Sequence, residues 1–338
     1  MRIFLTFILI SFVTVGKAQK VTMLDSSSKI SIRGLSVVDN KVIWISGSKG
    51  TVGRSVDGGK TWQYEQVKGH EKRDFRDIEA FDKNTAVILA VAEPAVILKT
   101  VDGGKHWKEV YRNDKQGMFL DAMEFWNINS GIVLGDPIDV RMFVARTFDG
   151  GETWKELPVE NLPEVQQGEA CFAASGTNIR ALDLDEACFV TGGTKSRFFS
   201  KGKPTEIDIV QGKETTGANS VAILDWKKRK GGQHIYIVGG DFAADTSSYK
   251  NSLYSHDGGN TWMAPSTPPK GYKSSVEFLS KKNLVTCGTS GVDISNDGGN
   301  NWKHISSTGF HVVRKAKKGD LVVLAGGNGR IAMLKGSF

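Results

Sequence analysis

Proline is sparse in this chain, 8 of 338 residues, and cysteine sparser still at 3. Three thiols cannot all pair within one chain, so no disulfide framework sets the fold. Cys171 and Cys188 fall on segments expected to be neighbouring strands, and buried free thiols are the expected state of all three, Cys287 included. Apolar residues at helical spacing are missing, which argues against a helical core. No strand–GxGxxG–helix unit offers a dinucleotide site, and no Cys-x-x-Cys offers redox chemistry. The six histidines show no His-Glu-x-x-His or paired ligand spacing, so neither a metal nor a cofactor is expected. Gly59-Lys60-Thr61 resembles the end of a phosphate loop, but Arg54 stands where that motif needs its first glycine. The formal charge of +7 is scattered. Its one cluster, Lys227-Lys228-Arg229-Lys230, precedes Gly231-Gly232 and reads as a solvated hairpin tip. Without a basic stripe interleaved with aromatics, nucleic acid is not an expected partner.

Long apolar runs are also missing after the N-terminus. Arg2 followed by the apolar Ile3–Val15 and then Gly16-Lys17-Ala18 has the layout of a secretory leader. Cleavage is expected near Ala18-Gln19, giving a leader over 1–18 and a mature domain over 19–338. The run is short for a bilayer span, and no cysteine follows it closely to carry a lipid. A secreted or periplasmic protein without a later transmembrane segment, and a monomer, is the expectation.

Glycine is what the chain has in quantity, 39 residues, as suits many short strands joined by tight turns. Much of it sits in a repeat. Ser55-Val56-Asp57-Gly58-Gly59-Lys60-Thr61-Trp62 recurs around Asp102 and Trp107, Asp149 and Trp154, Asp257 and Trp262, and Asp297 and Trp302. Successive copies lie about 40–47 residues apart, the size of a propeller blade. The interval from Asp149 to Asp257 is about twice that, which leaves room for a decayed copy near Ser200-Lys201-Gly202-Lys203-Pro204. In each copy the aspartate can accept backbone N–H bonds across a turn, the glycine pair permits positive φ, and the tryptophan buries a large ring beneath. Asp57, Asp102, Asp149, Asp257 and Asp297, with their tryptophans, are therefore assigned to structure. Expected inner strands are Ile32–Val38, Phe75–Phe81, Phe119–Phe125, Ala170–Ala174, Ser220–Leu224, Ser275–Leu279 and His311–Lys315. The fold class is all-β: a seven-bladed β-propeller whose last blade borrows an outer strand from Gln19–Leu24, closing the ring and leaving no free edge.

The repeated clip is the Asp-box, or bacterial neuraminidase (BNR), repeat. Asp74-Phe75-Arg76-Asp77-Ile78-Glu79-Ala80-Phe81, the Gly47-Ser48-Lys49-Gly50 hairpin, Asp121, Asp136-Pro137, Gly168-Glu169 before Phe172-Ala173-Ala174-Ser175-Gly176-Thr177, Gly239-Gly240-Asp241 and Gly288–Ser295 resemble the photosystem II stability/assembly factor-like propellers. The resemblance extends over essentially the whole mature chain. It implies a non-catalytic binding or assembly scaffold, lumenal in photosynthetic members.

With the clips at one end of the ring, the starts of the inner strands meet at the other. Arg33, Arg76, Asp77, Asp121, Glu169, Asn219, Lys273 and His311 are expected in a central funnel, rimmed by Asp136, Asp139, Arg141 and Asp241. Such a mixture suits a protein partner or a polar or glycan ligand of the cell envelope, and equally suits ion pairs that tie blades together. The enzymatic alternative is a secreted glycoside hydrolase. A sialidase needs three arginines and a tyrosine nucleophile. Arg33 and Arg76 could be two of the three and Arg141 a weak third, yet Ile32-Arg33-Gly34-Leu35 replaces the Phe/Tyr-Arg-Ile-Pro segment typical of sialidases, which also resemble six-bladed rings. Another two-carboxylate glycosidase could draw on Asp77, Asp121, Glu169 and Asp241.

Overall fold

A computed structural model describes residues 19–224 and 232–338. The expected leader and the Lys227–Lys230 tip lie outside the described residues. The described residues form seven sheets, arranged as the blades of a β-propeller, and their helical content is three single-turn 3₁₀ segments. Blade 1 is typical: Ile32–Val37, Ile43–Gly47, Thr51–Ser55 and Gln63–Gln66 pair antiparallel from the axis outward. Ring closure is as the sequence implies. Lys20–Asp25 pairs with Ile331–Lys335, Lys20 opposite Lys335 and Met23 opposite Ala332, and so completes blade 7.

Five clips share one hydrogen-bond pattern. In the first, Asp57 Oδ1 accepts from the Lys60 and Thr61 amides at 3.0 and 2.9 Å while the Thr61 hydroxyl donates to Oδ2 at 2.6 Å. Ser55 Oγ accepts from the Gly59 amide at 2.9 Å. Both glycines of the turn take positive φ, 77° and 84°, a region a Cβ disfavours. These donors, the Thr61 hydroxyl first, hold the Asp57 carboxyl down at about 2. The clip tryptophans pack onto the preceding blade: Trp107 on Trp44, Trp262 on Phe198, and Trp302 on Tyr236. The decayed copy survives as a two-residue turn, with Lys201 and Gly202 at φ 51° and 70° joining Arg197–Ser200 to Lys203–Glu206.

The core lies between blades. Ile88, Ala90, Val96 and Leu98 of blade 2, for example, pack with Trp44 and Val52 of blade 1. Nearer the axis, a polar side chain of one inner strand accepts from a backbone amide of the next. Ser36 takes Ala80, Ser220 takes Val276, and Ser275 takes Val313. All three cysteines are buried free thiols.

One expected strand is wrong. Blade 4 has Ile179–Ala181 as its inner strand, not Ala170–Ala174. Glu169–Ala170 instead pairs with Gly192–Gly193 beside blade 5. The segment from Phe172 to Thr177 crosses the axis as a plug. Arg33 of blade 1 donates to the Ala174 carbonyl at 3.1 Å, and Arg314 of blade 7 to that of Gly176 at 2.9 Å. The Ser175 hydroxyl reaches the Ser274 carbonyl of blade 6, and the Thr177 hydroxyl reaches Ser220 of blade 5. Asp136 of blade 3 accepts from the Cys171 amide, and Gly176 lies against the Asp77 carboxyl of blade 2. One stretch of blade 4 thus touches all six other blades. Small side chains are required there, since a Cβ on Gly176 would come within 2.3 Å of Asp77 Cγ.

Candidate functional site

The plug separates two ends of the axis. At the clip end, the turns that follow the inner strands accept hydrogen bonds from the clips: the Gly58 amide donates to Lys41, Gly103 to Asn84, Gly150 to Asn129, Gly258 to Gln233 and Gly298 to Lys282. The starts of the inner strands lie at the far end.

Three of the funnel candidates come together at the far end. Arg33, largely buried, has its pKa lowered by burial and then by the nearby charge of Arg76. Asp74 makes the direct ion contact with Arg76 at 2.8 Å, and the Arg76 guanidinium also lies 5.8 Å from the Phe119 ring centroid. His311 donates from Nδ1 to the Ile32 carbonyl at 3.0 Å, which leaves Nε2 as its acceptor. Burial, followed by the Arg33 charge, holds this imidazole at about 4, so it is neutral at pH 7. Phe172, the first residue of the plug, lies edge-on to Phe242, and Phe242 edge-on to Tyr272. Phe242 is exposed.

Asp121 and Asp136 form a touching pair. Asp121 is fully buried and neither carboxyl oxygen meets a donor other than its neighbour. Burial and then the Asp136 charge push Asp121 well above the carboxylate range, while burial lifts Asp136 to about 6.

The remaining candidates go elsewhere. Asp77 sits at the inter-blade position that serine fills in other blades, accepting from the Ile78 and Met123 amides at 2.8 Å each. Glu169 is fully buried and forked onto Arg197, with Nε–Oε1 at 2.9 Å and Nη2–Oε2 at 2.5 Å, and takes the Thr191 hydroxyl at 2.5 Å. Lys273 is buried against Asp293 at 2.5 Å. Asn219 accepts from the Tyr272 hydroxyl at 2.7 Å. Asp139 is a turn residue at φ 61°, Arg141 pairs with Glu164 at 3.6 Å, and Asp241 accepts from the Ala243 amide in its own loop. The ion-pair role weighed for the funnel thus describes Glu169 and Lys273. Among the described residues, no three metal-ligating side chains form a cluster.

The clip end, whose repeated aspartates and tryptophans were assigned to structure, holds a cavity of about 1030 Å³. Its wall carries Glu79, Glu124, Arg180, Glu277 and Arg314, with Lys281, Lys315, Lys317 and Lys318 also lining it, none of them singled out by sequence as site residues. A repeat signal was present: Ile78-Glu79-Ala80-Phe81, Met123-Glu124-Phe125-Trp126 and Val276-Glu277-Phe278-Leu279 each place a glutamate at the same inner-strand position.

Residues 15–117 match the family model described as photosynthesis system II assembly factor YCF48. Over that stretch the chain is similar to the photosystem II assembly factor family, and its sheets form a propeller that carries BNR repeats. Its fold is similar to that of YCF48 bound to a D1 peptide, at 16% identity and TM-score 0.63, covering 93% of this chain and 94% of that one. It is similar also to YCF48 from Cyanidioschyzon merolae, at 15% identity and TM-score 0.66, covering 94% and 98%. The WD40 propeller domain of Doa1 superposes at 10% identity and TM-score 0.63, covering 94% and 97%. No curated protein matches the sequence.

Proposed function

We propose that the chain is a non-catalytic binding and assembly scaffold, taking a segment of a partner protein at the far end of the axis. The observation that carries this reading is the Arg33–Arg76 pair. Arg76 stands near enough to Arg33 for its charge to lower the Arg33 pKa, and Asp74 is in direct contact with Arg76. Such a pair is stabilised by an incoming carboxylate, which a guanidinium fork binds bidentately. Phe172 and Phe242 supply apolar contact next to it. A peptide with an acidic residue or a free C-terminus fits both features, and the fold relative YCF48 is known bound to a peptide. The N-terminal Arg2, Ile3–Val15 and Gly16-Lys17-Ala18 pattern supports action outside the cytoplasm, with the mature chain starting at Gln19.

Fluorescence anisotropy with a peptide library displaying free C-termini, each paired with its amidated twin, tests the reading. Free-acid peptides should bind, amidation should weaken them, and Arg33→Ala or Arg76→Ala should weaken them about tenfold or more, the value of one charge-assisted contact. Equal binding of both twins, or variants that bind as the parent does, would refute it.

A further inference from the structure

The clip-end cavity lies across the plug from the arginine pair and has a different chemistry. Glu79 is already answered by Lys317, whose ammonium also donates to the Ala80 carbonyl at 2.8 Å. Arg180 is 8% exposed and stands between two glutamates, 3.5 Å from Glu124 and 3.7 Å from Glu277. Its Nη2 has no hydrogen-bond partner. Among the described residues no donor hydrogen-bonds either glutamate, although 19% and 23% of their side chains remain open to the cavity. Blade 5 presents Ala222 to the same cavity, a short side chain that leaves the space between blades 4 and 6 unfilled. Arg314 spends one N–H on the plug at Gly176 and lines the cavity with the rest of its fork.

On the inner wall Glu124 and Glu277 balance Arg180 and Arg314, while Lys315 is spent on the Leu279 carbonyl and the exposed Lys281 and Lys318 stand at the rim. An anion there would face Glu124 and Glu277, and a cation would face Arg180 and Arg314. Each arrangement sets like charges together in a partly desolvated space, which is costly. A hydroxyl escapes the conflict, because it donates to a carboxylate and accepts from a guanidinium at once. Phe81, Phe278 and Leu224 add apolar wall against which the C–H face of a ring can lie. The volume is that of a pocket for a ligand of a few rings.

We propose that the clip-end cavity binds a neutral saccharide, with Glu124 and Glu277 accepting from its hydroxyls and Arg314 donating to them. The site is independent of the far-end peptide reading, since the plug stands between them.

Calorimetric titration of the full chain with neutral di- and trisaccharides of glucose, galactose, mannose and N-acetylglucosamine tests this, with citrate and spermidine as anionic and cationic probes. At least one neutral sugar should bind saturably at millimolar or lower concentration. Glu124→Gln and Glu277→Gln, near-isosteric changes, should each weaken it about tenfold or more, whereas Lys203→Ala on an outer strand should not. Thermal melts report whether each variant is folded, and Ala222→Leu, which narrows the cavity without altering its charge, should weaken the same sugar. The proposal is overturned if no sugar of the set binds, if sugar binding survives both glutamine variants, or if citrate or spermidine is the probe whose binding those variants abolish.

Discussion

Replacing Gly176 with alanine puts the plug to a quantitative test. Gly176 has φ 63°, and a Cβ there would lie 2.3 Å from both Cγ and Oδ1 of Asp77. The left-handed backbone alone costs an alanine about 1–2 kcal/mol. To relieve the overlap, the Asp77 carboxyl must leave its two amide donors, Ile78 and Met123, and stranding a buried group costs about 1–3 kcal/mol more. The variant should thus lose about 2–5 kcal/mol. A double-mutant cycle separates the two contributions. In an Asp77→Ala background the obstructing atoms are gone, so Gly176→Ala should cost only its backbone share, leaving a coupling of about 1–3 kcal/mol. Equilibrium urea unfolding of the four proteins measures it. Strictly additive costs, or a Gly176→Ala protein as stable as the parent, would mean that the plug is not wedged against Asp77 and that the axis is not sealed as described.

Two other perturbations have definite signs. Burial lifts the Asp77 carboxyl to about 7, against 3.8 for a free aspartate. The folded state therefore holds this proton more tightly than the unfolded chain, and its contribution is complete below about pH 4 and lost as pH rises to about 7. The clip aspartates act oppositely: Asp57 and Asp257, held at about 2 by their threonine donors, stabilise above about pH 4 and lose that contribution as pH falls towards 2. Thermal melts from pH 4 to 8 should show a decline in Tm that Asp77→Asn flattens; an unchanged slope would count against a proton on Asp77. Glu169→Ala strands the Arg197 guanidinium in a buried site and should cost about 3–5 kcal/mol in urea unfolding, whereas an unaffected midpoint would put Glu169 outside any structural ion pair.

The sequence alone determined the architecture. Asp-Gly-Gly with a tryptophan three residues on encodes a turn through local forces, since the carboxylate, the hydroxyls and the positive-φ glycines all act within a few residues of one another. Five copies at blade spacing then fix the number and order of sheets, and Lys20–Asp25 was legible as the closing strand because the last blade lacks room for an outer strand of its own. Axis residues were far less legible. Cys171-Phe172-Ala173-Ala174 reads as a strand by its apolar character, yet it crosses the ring because six other blades offer it partners, none of them near in sequence. Asp77 looks like a funnel acid until a neighbouring blade supplies the Met123 amide. Glu169 and Lys273 look available until Arg197 and Asp293 fold against them. Glu124, Arg180 and Glu277 come from three different blades, and only ring closure sets them around one cavity. Local chemistry wrote the blades; contacts between distant blades decided which charged groups were used to hold the ring and which were left open to a ligand.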